Sequence, residues 1–119
     1  MKKTLVFGAT PKSDTIAYKV TVLLLKNGTE IIPWGIRTGK INGLRILMGF
    51  PFINDIHTIT IFLDAEKQKQ YYDYFFSLNP ERIILNPGAE NNELKKLAKS
   101  KDIEVVENCT MRMITGDKY

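Results

Sequence analysis

Five short apolar runs, each separated from the next by a stretch of helical character, constrain this chain more than any other feature. They are Thr4-Leu5-Val6-Phe7, Glu30-Ile31-Ile32-Pro33-Trp34, Ile56 to Leu63, Arg82-Ile83-Ile84-Leu85 and Ile103 to Glu107. Short runs rich in β-branched residues read as strands buried on both faces. The first intervening segment carries Ile16, Val20, Leu23 and Leu24 on one helical face. Ser13 or Asp14 is the expected cap, and Asn27-Gly28 the expected stop. Asp64 opens a second helix, Ala65 to Leu78, with aromatic residues at Tyr71, Tyr72, Phe75 and Phe76. Asn91 or Asn92 caps a third, with Glu93 in its first turn, where the helix dipole favours an acid. Strands alternating with helices specify a parallel sheet covered on both faces.

Right-handed crossovers leave few topologies for such a chain. The expected fold is α/β, three-layered and Rossmann-like, a five-stranded parallel sheet in the order 3-2-1-4-5, with 2-1-3-4-5 the alternative. At 119 residues the whole chain, 1–119, is expected to form a single domain. Two segments resist assignment. Gly35 to Asp55 passes without a clear element, its residues 47–56 being the least legible, and a loop of that length is often functional. Past Asn108, Met111 and Met113 alternate with polar neighbours, and a short added strand is expected.

Composition narrows the setting. One cysteine, Cys109, rules out an internal disulfide, and a reducing, cytoplasmic location is expected. The apolar start is too short for a signal peptide, and Val20 to Leu25 falls far short of a membrane span. No membrane association is expected. A net charge of +4 favours an anionic ligand. The basic residues are scattered and match no nucleic-acid-binding pattern, so nucleic acid is not the expected partner.

In the 3-2-1-4-5 order the chain reverses between strands 1 and 4, and ligands bind in the crevice at the carboxyl ends there. The adjoining loops would be Gly8-Ala9-Thr10-Pro11-Lys12-Ser13 and Asn86-Pro87-Gly88. The first precedes a helix N-terminus, whose free amides and dipole suit a phosphate. Thr10 and Ser13 add hydroxyls, and Lys12 adds charge. Neither G-x-G-x-x-G nor the P-loop pattern is present. Strand 2 ends in Pro33-Trp34-Gly35 where an NAD-binding domain would carry an acid. Arg37 and Lys40 follow, suiting a ribose that bears an extra phosphate, as in coenzyme A or NADP. Trp34 and Pro33 are expected to pack against adenine. His57, the only histidine, opens strand 3 at the pole opposite the crevice and reads as structural. One His and one Cys make no zinc set, and no metal is expected. Cys109, after strand 5, is either a thiol near the mouth or a small buried hydrophobe.

Several short segments, in order along nearly the whole chain, resemble one family. They are Val6-Phe7-Gly8-Ala9-Thr10-Pro11, Tyr18-Lys19, Gly28-Thr29-Glu30-Ile31-Ile32-Pro33 and Gly39-Lys40-Ile41-Asn42-Gly43-Leu44. Asn86-Pro87-Gly88-Ala89-Glu90-Asn91 and Glu104-Val105-Val106-Glu107-Asn108-Cys109-Thr110 complete the set. The family is the small stand-alone bacterial CoA-binding-domain proteins, similar to the CoA-binding domain of the succinyl-CoA synthetase α-subunit. The resemblance implies coenzyme A across loops 1, 2 and 4. Gly8, Ala9, Thr10 and Pro11 would hold the pyrophosphate. Pro33, Trp34 and Arg37 would surround the adenosine portion, and Asn86, Pro87 and Gly88 would border the other side. Met48-Gly49-Phe50-Pro51-Phe52 departs from the family's more polar segment. No catalytic residue is carried over.

The expected function is therefore binding of coenzyme A or an acyl-CoA by a non-catalytic or regulatory module. An NADP-binding redox or sensor domain is the alternative. A homodimer, through Phe50, Phe52 or the tail, or an acyl-CoA enzyme would be the protein partner.

Overall fold

A computed structural model describes residues 2–119. In chain order the elements are β1 (Thr4–Phe7), α1 (Ile16–Lys26), β2 (Ile31–Trp34), β3 (Lys40–Ile41), β4 (Leu44–Arg45) and β5 (Thr58–Ile61). There follow α2 (Ala65–Gln68), a 3-10 turn (Lys69–Tyr71), α3 (Tyr72–Ser77), β6 (Arg82–Leu85), α4 (Asn92–Lys99), β7 (Glu104–Glu107) and α5 (Thr110–Thr115). The sheet is five-stranded and wholly parallel, so the expected α/β, Rossmann-like class holds. β1, β5 and β6 are buried at every position, as continuous apolar runs require. Among the described residues no helix is long and apolar enough to cross a membrane.

The strand order corrects the first expectation. It is β2-β1-β5-β6-β7, which is 2-1-3-4-5 among the sheet strands rather than 3-2-1-4-5. Pro33 supplies the reason. Its carbonyl faces away from β1 and accepts from Leu47 N at 2.9 Å, and Gly35 N donates to Leu47 O at 2.9 Å on the same edge. The Pro33 nitrogen faces that edge with no proton to give, so a full strand cannot pair there. β2 is thus an edge strand, closed by the single bridge Trp34–Leu47. The third sheet strand takes the free edge of β1 instead, with Thr4 opposite Thr58 and Phe7 opposite Ile61.

The alternation of side chains divides the core into two layers. Leu5, Phe7, Ile59, Ile61, Ile83 and Leu85 meet α3 and α4 through Phe75, Leu78 and Leu94. Val6 and Ile31 face α1, whose Val20 and Leu24 pack on them together with Ile41 and Ile46. The unassigned stretch after β2 holds the β3–β4 hairpin, in which Lys40 pairs with Arg45 and Ile41 with Leu44. Its two-residue turn is Asn42-Gly43, both in the left-handed region with φ of 47° and 83°. This is the geometry of a type I′ turn, which matches strand twist.

Three local expectations change. α1 is capped by Thr15, whose hydroxyl accepts from Tyr18 N at 3.2 Å, not by Ser13 or Asp14. The aromatic helix breaks at Tyr71, whose ring meets Phe7 edge-on at 5.1 Å and Trp34 at 5.0 Å. The tail is helical: Met111 and Ile114 of α5 pack on the core layer that α1 covers.

Candidate functional site

With the order 2-1-3-4-5, the chain reverses between β1 and β5, so the crevice at the carboxyl pole opens between the loops that follow those two strands. A cleft of about 220 Å³ lies there. Gly8, Ala9 and Thr10 form one side and Leu63 the other, with Ile36, Arg37 and Lys12 at the rim. Its charged lining is wholly cationic, and neither Lys12 nor Arg37 joins an ion pair among the described residues.

The backbone that builds this cleft is tightly fixed. Gly8 N and Ala9 N both donate to Trp34 O, at 2.8 and 2.7 Å, tying loop 1 to the end of β2. Those two amides are therefore committed to the fold. The amides of Thr10, Ser13 and Asp14 have no hydrogen-bond partner among the described residues, and Thr10 lines the cleft. Gly8, at φ 112°, adopts a conformation that side chains rarely reach. Gly35 is needed for space: a Cβ there would sit 2.3 Å from Ala9 O and 3.0 Å from Ile46 Cγ2. On the far side, Gln68 Nε2 holds the carbonyls of Leu63 at 2.8 Å and Ala89 at 2.9 Å. Asn91 Nδ2 donates to Gln68 Oε1 at 2.7 Å and to Tyr72 OH at 2.8 Å. This buried amide network locks the Leu63 wall to the loop after β6. Burial pushes the Tyr72 phenol above its usual range.

The sequence-predicted residues divide into those brought together and those kept apart. Gly8, Ala9, Thr10, Lys12 and Arg37 converge on the cleft. Pro11 lies against the start of the hairpin, where a Cβ on Gly39 would meet its Cγ at 2.8 Å. Gly35 lies behind the cleft floor. Ser13 lies on the flank of α1, in a separate groove. Lys40 lines a neighbouring depression of about 260 Å³ with Thr38, Gly39, Ile46 and Arg45.

Trp34 corrects the adenine expectation. It is 1% exposed and stacks on Phe7 at 3.9 Å between centroids, while its indole N–H donates to Gly49 O at 2.9 Å. No face of the ring is open to a ligand. Pro33 is buried in β2 beside it. Asn86-Pro87-Gly88 also lies away from the cleft lining, because β5, not β6, adjoins β1. Asn86 is a buried staple: it donates to Thr60 Oγ1 at 2.7 Å and Ile61 O at 2.9 Å, and accepts from Thr110 N at 2.9 Å. Pro87 and Gly88 form an exposed turn. Cys109, half-buried at the start of α5, does not line the cleft. His57 stands at the amino pole as expected, with Nδ1 2.7 Å from Thr58 Oγ1.

Sequence reasoning missed Leu63 and Ile36, which become visible only once the strand order is known. It also missed Arg45, which the Asn42-Gly43 turn sets directly across from Lys40. Tyr74, its phenol pushed up to about 12 by burial, donates to Pro51 O at 2.7 Å and anchors a segment whose Phe50 and Phe52 are 65% and 74% exposed.

Comparison with known proteins follows the same lines. The profile of the family described as "CoA binding domain" matches residues 2–115. The crystal structure of an uncharacterized protein is 38% identical, with a TM-score of 0.98, covering 100% of this chain and 98% of that one. A Thermus thermophilus protein, 17% identical, has a TM-score of 0.87 over 99% of this chain and 90% of its own. The dinucleotide-forming acetyl-coenzyme A synthetase 1 of Ca. Korarchaeum cryptofilum, solved with phosphate and ADP, is 17% identical with a TM-score of 0.70. It covers 90% of this chain and 25% of its own. At 17% identity the last two are evidence of fold alone. A search of curated proteins finds no match.

Proposed function

The chain belongs to the CoA-binding-domain family, and from that premise we propose that the cleft between β1 and β5 holds the diphosphate of coenzyme A, residues 1–119 acting as one binding unit. The observation that carries the reading is a cleft at the sheet's topological reversal whose charged lining, Lys12 and Arg37, is cationic and stands beside Thr10. Thr10 offers a free amide and a hydroxyl to a diphosphate oxygen and Lys12 supplies the counter-charge there, while Arg37 at the rim is left for the ribose phosphate. No carboxylate follows β2 to bind paired ribose hydroxyls, which favours a phosphorylated ribose over NAD.

The β3–β4 hairpin supports the same reading. Lys40 and Arg45 stand directly opposite one another, and like charges so placed repel. Neither has an acidic partner among the described residues. A ribose 3′-phosphate between Arg37 and this pair would relieve that repulsion. The role is binding rather than catalysis: His57 belongs to the opposite pole, and Thr10 has no base beside it in the cleft lining.

The test is to denature purified protein and identify released small molecules by mass spectrometry, then to titrate coenzyme A, dephospho-CoA and NADPH. Coenzyme A is expected to bind tightest. Arg37→Ala should weaken coenzyme A by about tenfold, roughly 1.4 kcal/mol, and dephospho-CoA far less. Equal losses would remove Arg37 from the ribose phosphate. A fluorescence change of bound NADPH with no heat from coenzyme A would reverse the assignment.

A further inference from the structure

A groove of about 290 Å³ runs along the outer flank of α1, beginning at Ser13 and walled on one side by Met111 of α5. Its floor is apolar: Tyr18, Val22 and Met111 are half-buried, leaning on the second core layer while leaving one face to solvent. Its rims carry Lys19 and Lys26, neither in an ion pair among the described residues. The volume is near the lower bound of small-molecule pockets, about 300 Å³. It is too small for the side-chain row of a docked helix. An apolar trough with a cation at each end fits an unbranched chain with one anionic or polarised carbonyl head.

The helix fixes which way such a chain lies. The α1 dipole is positive at its N-terminus and negative beyond Leu25, so a carbonyl head belongs near Ser13 and Lys19. The tail then runs over Val22 and Met111 toward Lys26, whose methylene stem can cover it. Lys19 to Lys26 spans seven residues, about 10 Å at helical rise. Ser13 follows Lys12 of the cleft directly in the chain, so the head end of the groove begins next to the proposed diphosphate site, and a thioester reaches it when the pantetheine arm folds back along loop 1.

The geometry points to this groove as a site for a medium-length acyl chain. The chain can come from a free carboxylate or from the thioester of a bound acyl-CoA, and the second source rests on the coenzyme A reading above. Each two methylenes buried in the groove should add about tenfold in affinity.

The experiment titrates coenzyme A, decanoyl-CoA and free decanoate into the intact protein, following the Met111 methyl and Tyr18 ring signals by NMR. Decanoyl-CoA is expected to bind about a hundredfold more tightly than coenzyme A, four methylenes being buried. Decanoate alone should shift both signals, and Lys19→Ala should weaken it. The double variant Val22→Ala/Met111→Ala should erase the decanoyl gain while leaving coenzyme A affinity close to wild type, with a lower melting temperature because both side chains also lean on the second core layer. Lys19→Ala provides an independent reading if that double variant folds poorly. Equal affinities for coenzyme A and decanoyl-CoA, with silent Met111 and Tyr18 signals, overturn the proposal. So does a decanoyl gain abolished by Phe50→Ser, which would put the chain on the exposed aromatic segment. Should coenzyme A fail to bind at all, that reading falls, and the decanoate arm still decides the groove.

Discussion

Replacing Gly35 with alanine tests how loop 1 is held over the cleft. The new methyl carbon would sit 2.3 Å from Ala9 O and 3.0 Å from Ile46 Cγ2. Relief is costly, because the nearer atom is a backbone oxygen whose residue donates its own N–H to Trp34 O at 2.7 Å. Overpacking of this kind costs about 3 kcal/mol at the upper end of the usual range. The lower entropy of an unfolded alanine chain returns about 0.5 kcal/mol. The net loss is then about 2.5 kcal/mol, or a melting temperature lower by about 10 °C for a domain of this size. The structure also predicts a binding phenotype. Moving Ala9 moves Thr10, its neighbour in the cleft lining, so coenzyme A affinity should fall by about tenfold. Thermal melts with and without ligand, together with calorimetric titration on the folded variant, measure both. An unchanged melting temperature would refute the packing argument. A destabilised variant with wild-type affinity would show that the contact between loops 1 and 2 supports the fold without shaping the site.

Asn86→Ala removes three side-chain hydrogen bonds and leaves Thr110 N unpaired, while Ile61 O keeps only the longer bond from the residue 86 backbone N–H at 3.3 Å, so urea unfolding should show a loss of about 2 kcal/mol. A loss below about 1 kcal/mol would mean that water or a shifted α5 replaces the staple. Burial, opposed by the Glu81 carboxylate, holds His57 below its usual 6.5. The unfolded chain therefore takes up this proton more readily, and its stabilising effect is complete above pH 6.5 and lost as pH falls below that value. His57→Gln should flatten the decline of the urea midpoint just below pH 6.5, and an unaltered slope would assign the decline to other groups.

The elements were legible because their physics is local. The apolar runs around Val6, Ile59 and Ile84 could be satisfied only as strands covered on both faces. Asn91 accepts from Leu94 N at 3.0 Å in the capping role its residue type favours. The α2–α3 break was not legible, since Tyr71 leaves helical register to reach Phe7 and Trp34, contacts that exist only after the sheet has assembled. Trp34 misled for a related reason. An aromatic residue next to a loop glycine reads equally well as a ligand platform or as core, and stacking on Phe7 decides it. The Asn42-Gly43 turn was legible in principle, being the strongest short hairpin signal, and it would have given both the β3–β4 pair and Arg45.

One residue connects the misread topology to the misread site. Pro33 signals a strand end when only its missing proton is considered, and a sheet edge when the direction of its carbonyl is considered as well. An edge position for β2 forbids 3-2-1-4-5, because that order needs a strand on each side of it. Once β2 is at the edge, β5 must pair with β1, and the reversal moves from the Asn86 loop to the Leu63 loop. The wall of the cleft changes with it, from a polar turn to a leucine whose carbonyl Gln68 fixes from behind. The cationic side of the cleft survives this change, because loop 1 and Arg37 flank β1 in either order. The charge of the site is thus set by residues that sequence could identify, and its opposite wall by the edge that one proline imposes on the sheet.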